Sequence, residues 1–300
     1  MPDERKREET MMTDIGKNGQ RTEETKGVWT FRDKSLSYQN RTLVMGILNV
    51  TMDSFSDGGS YYTPELALAC ALEMEKDGVD IIDIGAESTR PGAEAISADE
   101  ELSRLIPALK LISQYVSVPI SVDTYKSKTA REALAFGASI VNDVWGLMYD
   151  PDMAKVVSEN NAGLVLMANY TDPKIFKKEG AIVENCRAFF EMGMKKAQEA
   201  GIPMSNILFD PGIGFGTETD ESIELIRNTS YFQKHGYPIL VGASRKRFVG
   251  ATLGGVPVED RDAGTLSVSC YCAKEHAAAV RVHDVHGTVQ GMKMWQALEG

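Results

Sequence analysis

Seven stretches of this 300-residue chain place polar side chains directly after a short apolar run: Asn49; Glu87-Ser88-Thr89-Arg90-Pro91-Gly92; Asp123; Asn142-Asp143; Asp210-Pro211-Gly212; Ser244-Arg245-Lys246-Arg247; and Arg281-Val282-His283-Asp284. Sorted by charge, they fall into two sets. Arg90, Lys246, Arg281 and His283 are donors suited to an anion. Asn49, with a carboxylate such as Asp57, offers hard oxygen ligands to Mg²⁺, an ion that commonly binds through substrate phosphates. This set predicts a diphosphate. Asp123, Asn142 and Asp210 carry carboxylate and amide groups able to pair bidentately with a flat heterocycle bearing N–H donors. Any one of these residues is more simply read as the cap of a following helix. Seven recurrences at the same point of a repeating pattern call for a shared site.

The pattern itself predicts the elements that hold them. Apolar runs at 43–49, 79–85, 119–123, 139–144, 163–167, 206–210, 238–243 and 278–284 are near-continuous rather than alternating, as in parallel strands buried on both faces. Amphipathic segments such as 64–77, 129–136 and 182–200 separate them. Eight β/α units in about 250 residues predict an α/β fold of the (β/α)₈ TIM-barrel class. In such barrels the strand ends and the loops that follow them carry the catalytic groups. A doubly wound sheet is the alternative. Between residues 28 and 41, Trp29, Phe31 and Tyr38 flank a polar turn at Asp33-Lys34 and predict an N-terminal hairpin that caps the barrel. With no linker-like stretch inside it, the region 28–300 reads as one domain. Residues 1–27 hold 13 charged and only four apolar side chains, too few to offset the entropy of ordering, and read as a disordered tail.

Composition narrows the partners. With 32 basic and 43 acidic residues the net charge is -11, which disfavours nucleic acid and anionic membranes. No apolar run approaches the roughly 20 residues of a membrane span, and the first residues lack the apolar stretch of a signal peptide, so cytoplasmic placement is expected. Cys70, Cys186, Cys270 and Cys272 form neither a zinc nor a redox motif and read as core residues. The run Gly212-Ile213-Gly214-Phe215-Gly216 lacks dinucleotide-binding spacing and is read as a loop that approaches a ligand closely while displaying Phe215. Met192 and Met194 read as core packing. His235, His276 and His286 read as surface or structural residues.

Six ordered motifs over roughly residues 42 to 298 resemble those of dihydropteroate synthase, a family of folate biosynthesis. They are Gly46-Ile47-Leu48-Asn49-Val50-Thr51 with Asp53-Ser54-Phe55-Ser56-Asp57-Gly58-Gly59; Glu87 through Gly92; Ser121-Val122-Asp123-Thr124; Val141-Asn142-Asp143-Val144; Asp210 through Gly216; and Ser244-Arg245-Lys246 with Arg281-Val282-His283-Asp284. The resemblance implies a TIM barrel, usually a homodimer and a target of sulfonamides, that joins 6-hydroxymethyl-7,8-dihydropterin diphosphate to p-aminobenzoate and releases diphosphate. It implies Mg²⁺ at Asn49 and a pterin ring among Asp123, Asn142, Asp210 and Lys246. The catalytic roles fall on Lys246, Asp123 and Asp210. Diphosphate is expected at Thr89, Arg90, Arg281 and His283, and p-aminobenzoate against Phe55, Pro91, Phe215, Ser244 and Arg247. Two positions depart from the family: Ala168-Asn169-Tyr170 stands where a histidine is common, and Thr217 where a lysine is. A pterin-binding methyltransferase and a non-catalytic pterin or phosphate binder remain the other readings. The methyltransferase would not need the anion-binding set.

Overall fold

An apolar run buried on both faces forms a strand whose backbone must pair on both edges, and the eight runs do so with one another. In a computed structural model, which describes residues 27–51, 63–88 and 94–299, they become β3 (Leu43–Asn49), β4 (Ile81–Gly85), β5 (Ile120–Asp123), β6 (Ile140–Asp143), β7 (Gly163–Met167), β8 (Ile207–Asp210), β9 (Leu240–Val241) and β10 (Ala279–Val282). Their spatial order is β8-β7-β6-β5-β4-β3-β10-β9, parallel throughout. A parallel bridge between Phe209 and Ile239, with Phe209 N–H donating to Pro238 O at 2.8 Å, joins the two edges and closes the barrel.

The helices that follow the strands are α1 (Pro64–Asp77), α2 (Ala98–Tyr115), α3 (Ser127–Ala135), α4 (Met153–Glu159), α5 (Ile182–Glu199), α6 (Thr219–Arg227) with α7 (Thr229–Lys234), α8 (Arg247–Thr252) with α9 (Asp262–Lys274), and α10 (Val285–Glu299). Local chemistry sets their ends. Thr63 caps α1 by accepting Leu66 N–H, with Pro64 as its first residue, and Gly78 ends it in the left-handed region. Leu105, Ala108, Leu109 and Ile112 recur at helical spacing and bury the inner face of α2.

Below the barrel, β1 (Val28–Phe31) and β2 (Lys34–Ser37) form an antiparallel hairpin. Trp29 and Phe31 are fully buried, edge to face at 5.4 Å, against Leu43, Met45, Ile81, Ile140, Val165, Leu208 and Leu240. Trp29 Nε1–H donates to Asn206 O at 2.8 Å, so the plug carries no unpaired indole.

Several sequence expectations shift by a few residues. The hairpin turn is Arg32-Asp33, one residue earlier than expected, because Arg32 takes φ +53° without the glycine or asparagine that would advertise it. Gly27 belongs to the hairpin, since its carbonyl accepts Tyr38 N–H at 2.8 Å. The second barrel strand begins at Ile81 rather than Val79, whose N–H turns back to Met74 O behind the α1 cap. The last ends at Val282, because His283 N–H donates to Ser244 Oγ instead of to a neighbouring strand. Met192 is 40% exposed, not core. Residues 1–26, Phe55, Asp57, Thr89, Arg90 and Pro91 lie outside the described residues.

Candidate active site at the carboxyl end of the barrel

Parallel register brings the predicted residues together. Asn49 pairs with Gly85, Gly85 with Asp123 and Asp123 with Asn142, so one rung across β3 to β6 carries three of them. Gly85 leaves room between its neighbours: a Cβ there would lie 3.7 Å from both Asn49 Oδ1 and Asp123 Oδ2. Across the mouth, Arg281 Nε–H donates to Asp83 Oδ2 and Nη2–H to Asp123 Oδ2, both at 2.6 Å. Asn142 Nδ2–H donates to the same Asp83 oxygen at 3.0 Å. One arginine and one amide thus tie four strands together, β10, β4, β5 and β6. Asp83 Oδ1 and Asp123 Oδ1 are left buried with no hydrogen-bond partner among the described residues, as is Ser121 Oγ.

The second half of the site is built on the glycine loop after β8. Gly212 sits at φ +75°, and a Cβ there would meet Ala168 O at 1.8 Å, so only glycine can make this turn. Its N–H donates to Asp210 Oδ1 at 2.8 Å, fixing that carboxylate. Lys246 reaches in from the turn after β9, donating to Ile213 O and standing 4.7 Å from the Phe215 ring centroid, within cation–π range. Tyr125, Val144 and Met167, with Trp145 and Phe215, form a small apolar cluster apart from the main core. Flat aromatic faces can rest against it.

Charge so concentrated under low exposure shifts the acids and bases. Burial pushes the Asp123 carboxyl up to about 7, with Arg281 opposing and Asp83 adding to the rise. Burial also raises Asp210, against the pull of Lys246. It drives the Lys246 ammonium down to about 8, against the attraction of Asp210. Arg281 stays charged: burial disfavours its cation, but Asp83 and Asp123 more than offset this and its pKa is raised.

Two residues past β4 stands a further carboxylate, Glu87, with only 7% of its side chain exposed. Glu87 accepts from Tyr125 OH at 2.9 Å, from Ile96 N–H at 3.4 Å and from Lys126 Nζ. Lys126 also donates to Glu101 Oε2 at 2.9 Å, which Thr129 Oγ1 shares at 3.0 Å. The Glu87 carboxylate therefore ties the end of β4 to Ile96, just ahead of α2.

Residues 45–283 match the family described as pterin binding enzyme. The dihydropteroate synthase of Bacillus subtilis (strain 168) is 45% identical over 267 residues, 89% of this chain and 92% of that protein. The chain belongs to the dihydropteroate synthases of the pterin-binding family. A Clostridium difficile dihydropteroate synthase structure, determined with pteroic acid, superposes with TM-score 0.81 at 41% identity, covering 88% of this chain and 98% of that one. A Xanthomonas albilineans dihydropteroate synthase with 4-aminobenzoic acid gives TM-score 0.84 at 37% identity, covering 91% and 99%.

Within this dihydropteroate synthase chain the described site residues divide plainly. Asn49, Asp123, Asn142, Asp210, Lys246 and Arg281 converge on the mouth. Ser244 and His283 pair beside them, Oγ to Nδ1 at 3.0 Å. Arg247 instead opens α8, four-fifths exposed, 3.6 Å from Glu218 at the rim. Arg281, grouped with the anion donors, also bonds to two acids, Asp83 through Nε and Asp123 through Nη2. Asp143 and Asp284 serve as local caps: Asp143 accepts Trp145 and Leu147 N–H, and Asp284 accepts Gly287 N–H. The two departures from the family are buried and bonded. Asn169 links Val144 O to Thr171, and Thr217 Oγ1 accepts Gly214 N–H at 2.8 Å and pairs with Ser222. Sequence reasoning missed Asp83, although the signal was there: a carboxylate in Ile81-Ile82-Asp83-Ile84 has no place in a buried strand unless partners await it.

Proposed function

We propose that this mouth performs the dihydropteroate synthase reaction with the pterin ring held by Asp123, Asn142, Asp210 and Lys246. The observation that carries the reading is the buried Asp123 Oδ1, unpartnered beside Asn142. An N–H-bearing flat ring would satisfy it, and an apolar or anionic ligand would not. Asp123 and Asp210 face the ring with negative charge, which favours a cation forming on it as the methylene loses diphosphate. Lys246, over Phe215, positions the ring edge and the adjoining p-aminobenzoate pocket, with Ser244 and Phe215 lining it; Pro91, Phe55 and Arg247 complete the expected set. His283 and Arg281, with Thr89 and Arg90, are assigned to diphosphate. The described residues include no dedicated base for the amine, and a dissociative substitution needs none.

Asn49 fits Mg²⁺. It offers one neutral oxygen at a strand end beside Asp123, and this ion keeps several waters and takes further ligands from phosphates; Asp57 is the second expected ligand. Mg²⁺ bound there would neutralise charge on the departing diphosphate. A homodimer and cytoplasmic placement belong to the same reading through the family resemblance. Among the described residues no helix is long and apolar enough to cross a membrane. The test is diphosphate release measured with and without p-aminobenzoate and with excess EDTA. Equimolar diphosphate and dihydropteroate, lost in EDTA, is the expected outcome. No release with both substrates would contradict the reaction, and full turnover in EDTA would remove the metal from it.

A further inference from the structure

Arg245, in the middle of the turn after β9, holds φ +57°, a conformation that costs energy for any residue with a Cβ and persists only where the surroundings over-determine it. They do so here from three directions. Its N–H donates to Thr265 Oγ1 at 3.1 Å, its carbonyl accepts Arg261 Nη1–H at 3.0 Å, and its guanidinium fork grips Asp262 through Nε and Nη2 at 2.7 Å each. All three anchors lie in the first turn of α9 or the residue before it. Arg261 lies across Gly250 of α8, where a Cβ would come within 2.5 Å of its Nε, and its Nε and Nη2 donate to Val256 O. The neighbours of Arg245 have the opposite orientation: Ser244 bonds His283, and Lys246 bonds Ile213 O with its ammonium over the Phe215 ring.

We propose that Arg245 is a positioning residue: clamped by Arg261, Asp262 and Thr265, it holds the 244–247 turn in the left-handed conformation that sends Ser244 and Lys246 into the barrel mouth. A bidentate arginine–carboxylate pair fixes direction as well as distance, which one hydrogen bond cannot. The clamp lends the reaction no charge and acts through Lys246. It therefore rests on the assignment of Lys246 to the pterin ring, which Lys246→Ala tests separately.

Two variants test the clamp. Arg245→Gly removes the fork and also the conformational penalty, so the backbone is not strained by the change. Asp262→Asn keeps the strained turn but removes the charge that anchors it. Thermal midpoint, kcat, and the pH profile of kcat/KM are measured for both. Arg245→Gly is expected to melt within a few degrees of the parent and to lose kcat at least tenfold. Its alkaline limb should move upward as Lys246 leaves its half-buried seat, where Asp210, Asp123 and Arg281 face it. Asp262→Asn is expected to do the same at about threefold. A residue serving stability alone would lower the thermal midpoint and leave the kcat of the folded fraction unchanged. Parental kcat with an unmoved alkaline limb in both folded variants overturns the clamp, and with Lys246→Ala still impaired it leaves the reading of the site intact.

Discussion

The two ends of the barrel use the same strands in opposite ways. Ile81, Ile140, Leu208 and Ala279 belong to the closed lower layer, fully buried against Trp29 and Phe31. Two residues further along the same strands, about 7 Å higher on the same face, stand Asp83, Asn142, Asp210 and Arg281. Below, the polar atoms are matched: Trp29 Nε1–H reaches Asn206 O, and Asn206 Nδ2–H reaches Asn161 Oδ1 at 2.9 Å. Above, Asp83 and Asp123 each keep a buried oxygen without a partner, and such a group costs about 1–3 kcal/mol. The lower layer stabilises the barrel, and the upper one sacrifices part of that stability to bind what arrives at the mouth. Strand periodicity lets one fold separate the two tasks by a single inward step.

Four substitutions or titrations press on that contrast. Trp29→Ala at the lower end should cost about 3–5 kcal/mol of stability, read by denaturant unfolding, while kcat/KM at 25 °C stays within about twofold. A large kinetic loss in the folded protein would break the separation. Lys246→Ala at the upper end should lower kcat/KM on the order of 10²-fold, about 2.7 kcal/mol of transition-state stabilisation, with little change in melting. Near-parental kinetics would make Lys246 an ordinary rim lysine. Asp83→Asn, in the upper layer but fully buried, sharpens the boundary. It should raise KM for the pterin diphosphate about tenfold by loosening Arg281 and Asn142, and it should lower stability by roughly 1–3 kcal/mol. Loss of stability alone would assign Asp83 to the lower, structural layer.

The smallest effect is a pH dependence. A carboxylate that must be ionised is active above its pKa, so activity should rise through about 7 as Asp123 loses its proton. An ammonium that must be charged is active below its pKa, so activity should fall above about 8 as Lys246 loses its own. A flat kcat/KM profile between pH 6 and 9, measured with the pterin diphosphate limiting (roughly one unit beyond each pKa), would exclude both groups from the rate-determining state.

The sequence made the barrel and most of its rim legible because both follow from spacing. Buried parallel strands leave near-continuous apolar runs, and the residues that end them are polar for a reason the runs do not supply. Cross-strand neighbours are less visible. Nothing in the spacing of Asp83, Asp123 and Arg281 says that one guanidinium joins two acids, because that pairing depends on β10 lying beside β3 in the sheet. The irregular β9 was also hidden: Pro238 has no N–H to give, and the 238–243 run shrinks to a two-residue strand, Leu240–Val241, with Ile239 adding only an isolated bridge to Phe209. Asp143 and Arg245 show that a place in a rim motif is not a place in the site. Both stand in rim motifs, yet one caps its own turn and the other is gripped from behind by α9.

The central claim is that the upper layer divides its charge, with anionic Asp123 and Asp210 toward the ring and cationic groups toward the leaving diphosphate, because cleavage of the C–O bond precedes attack by the amine. Kinetic isotope effects at the methylene that carries the diphosphate test this directly. The account predicts a clear normal hydrogen effect at that methylene, as its carbon flattens toward a ring-conjugated cation. A large carbon effect with hydrogen effects near unity would show that bond making accompanies bond breaking, and would contradict it.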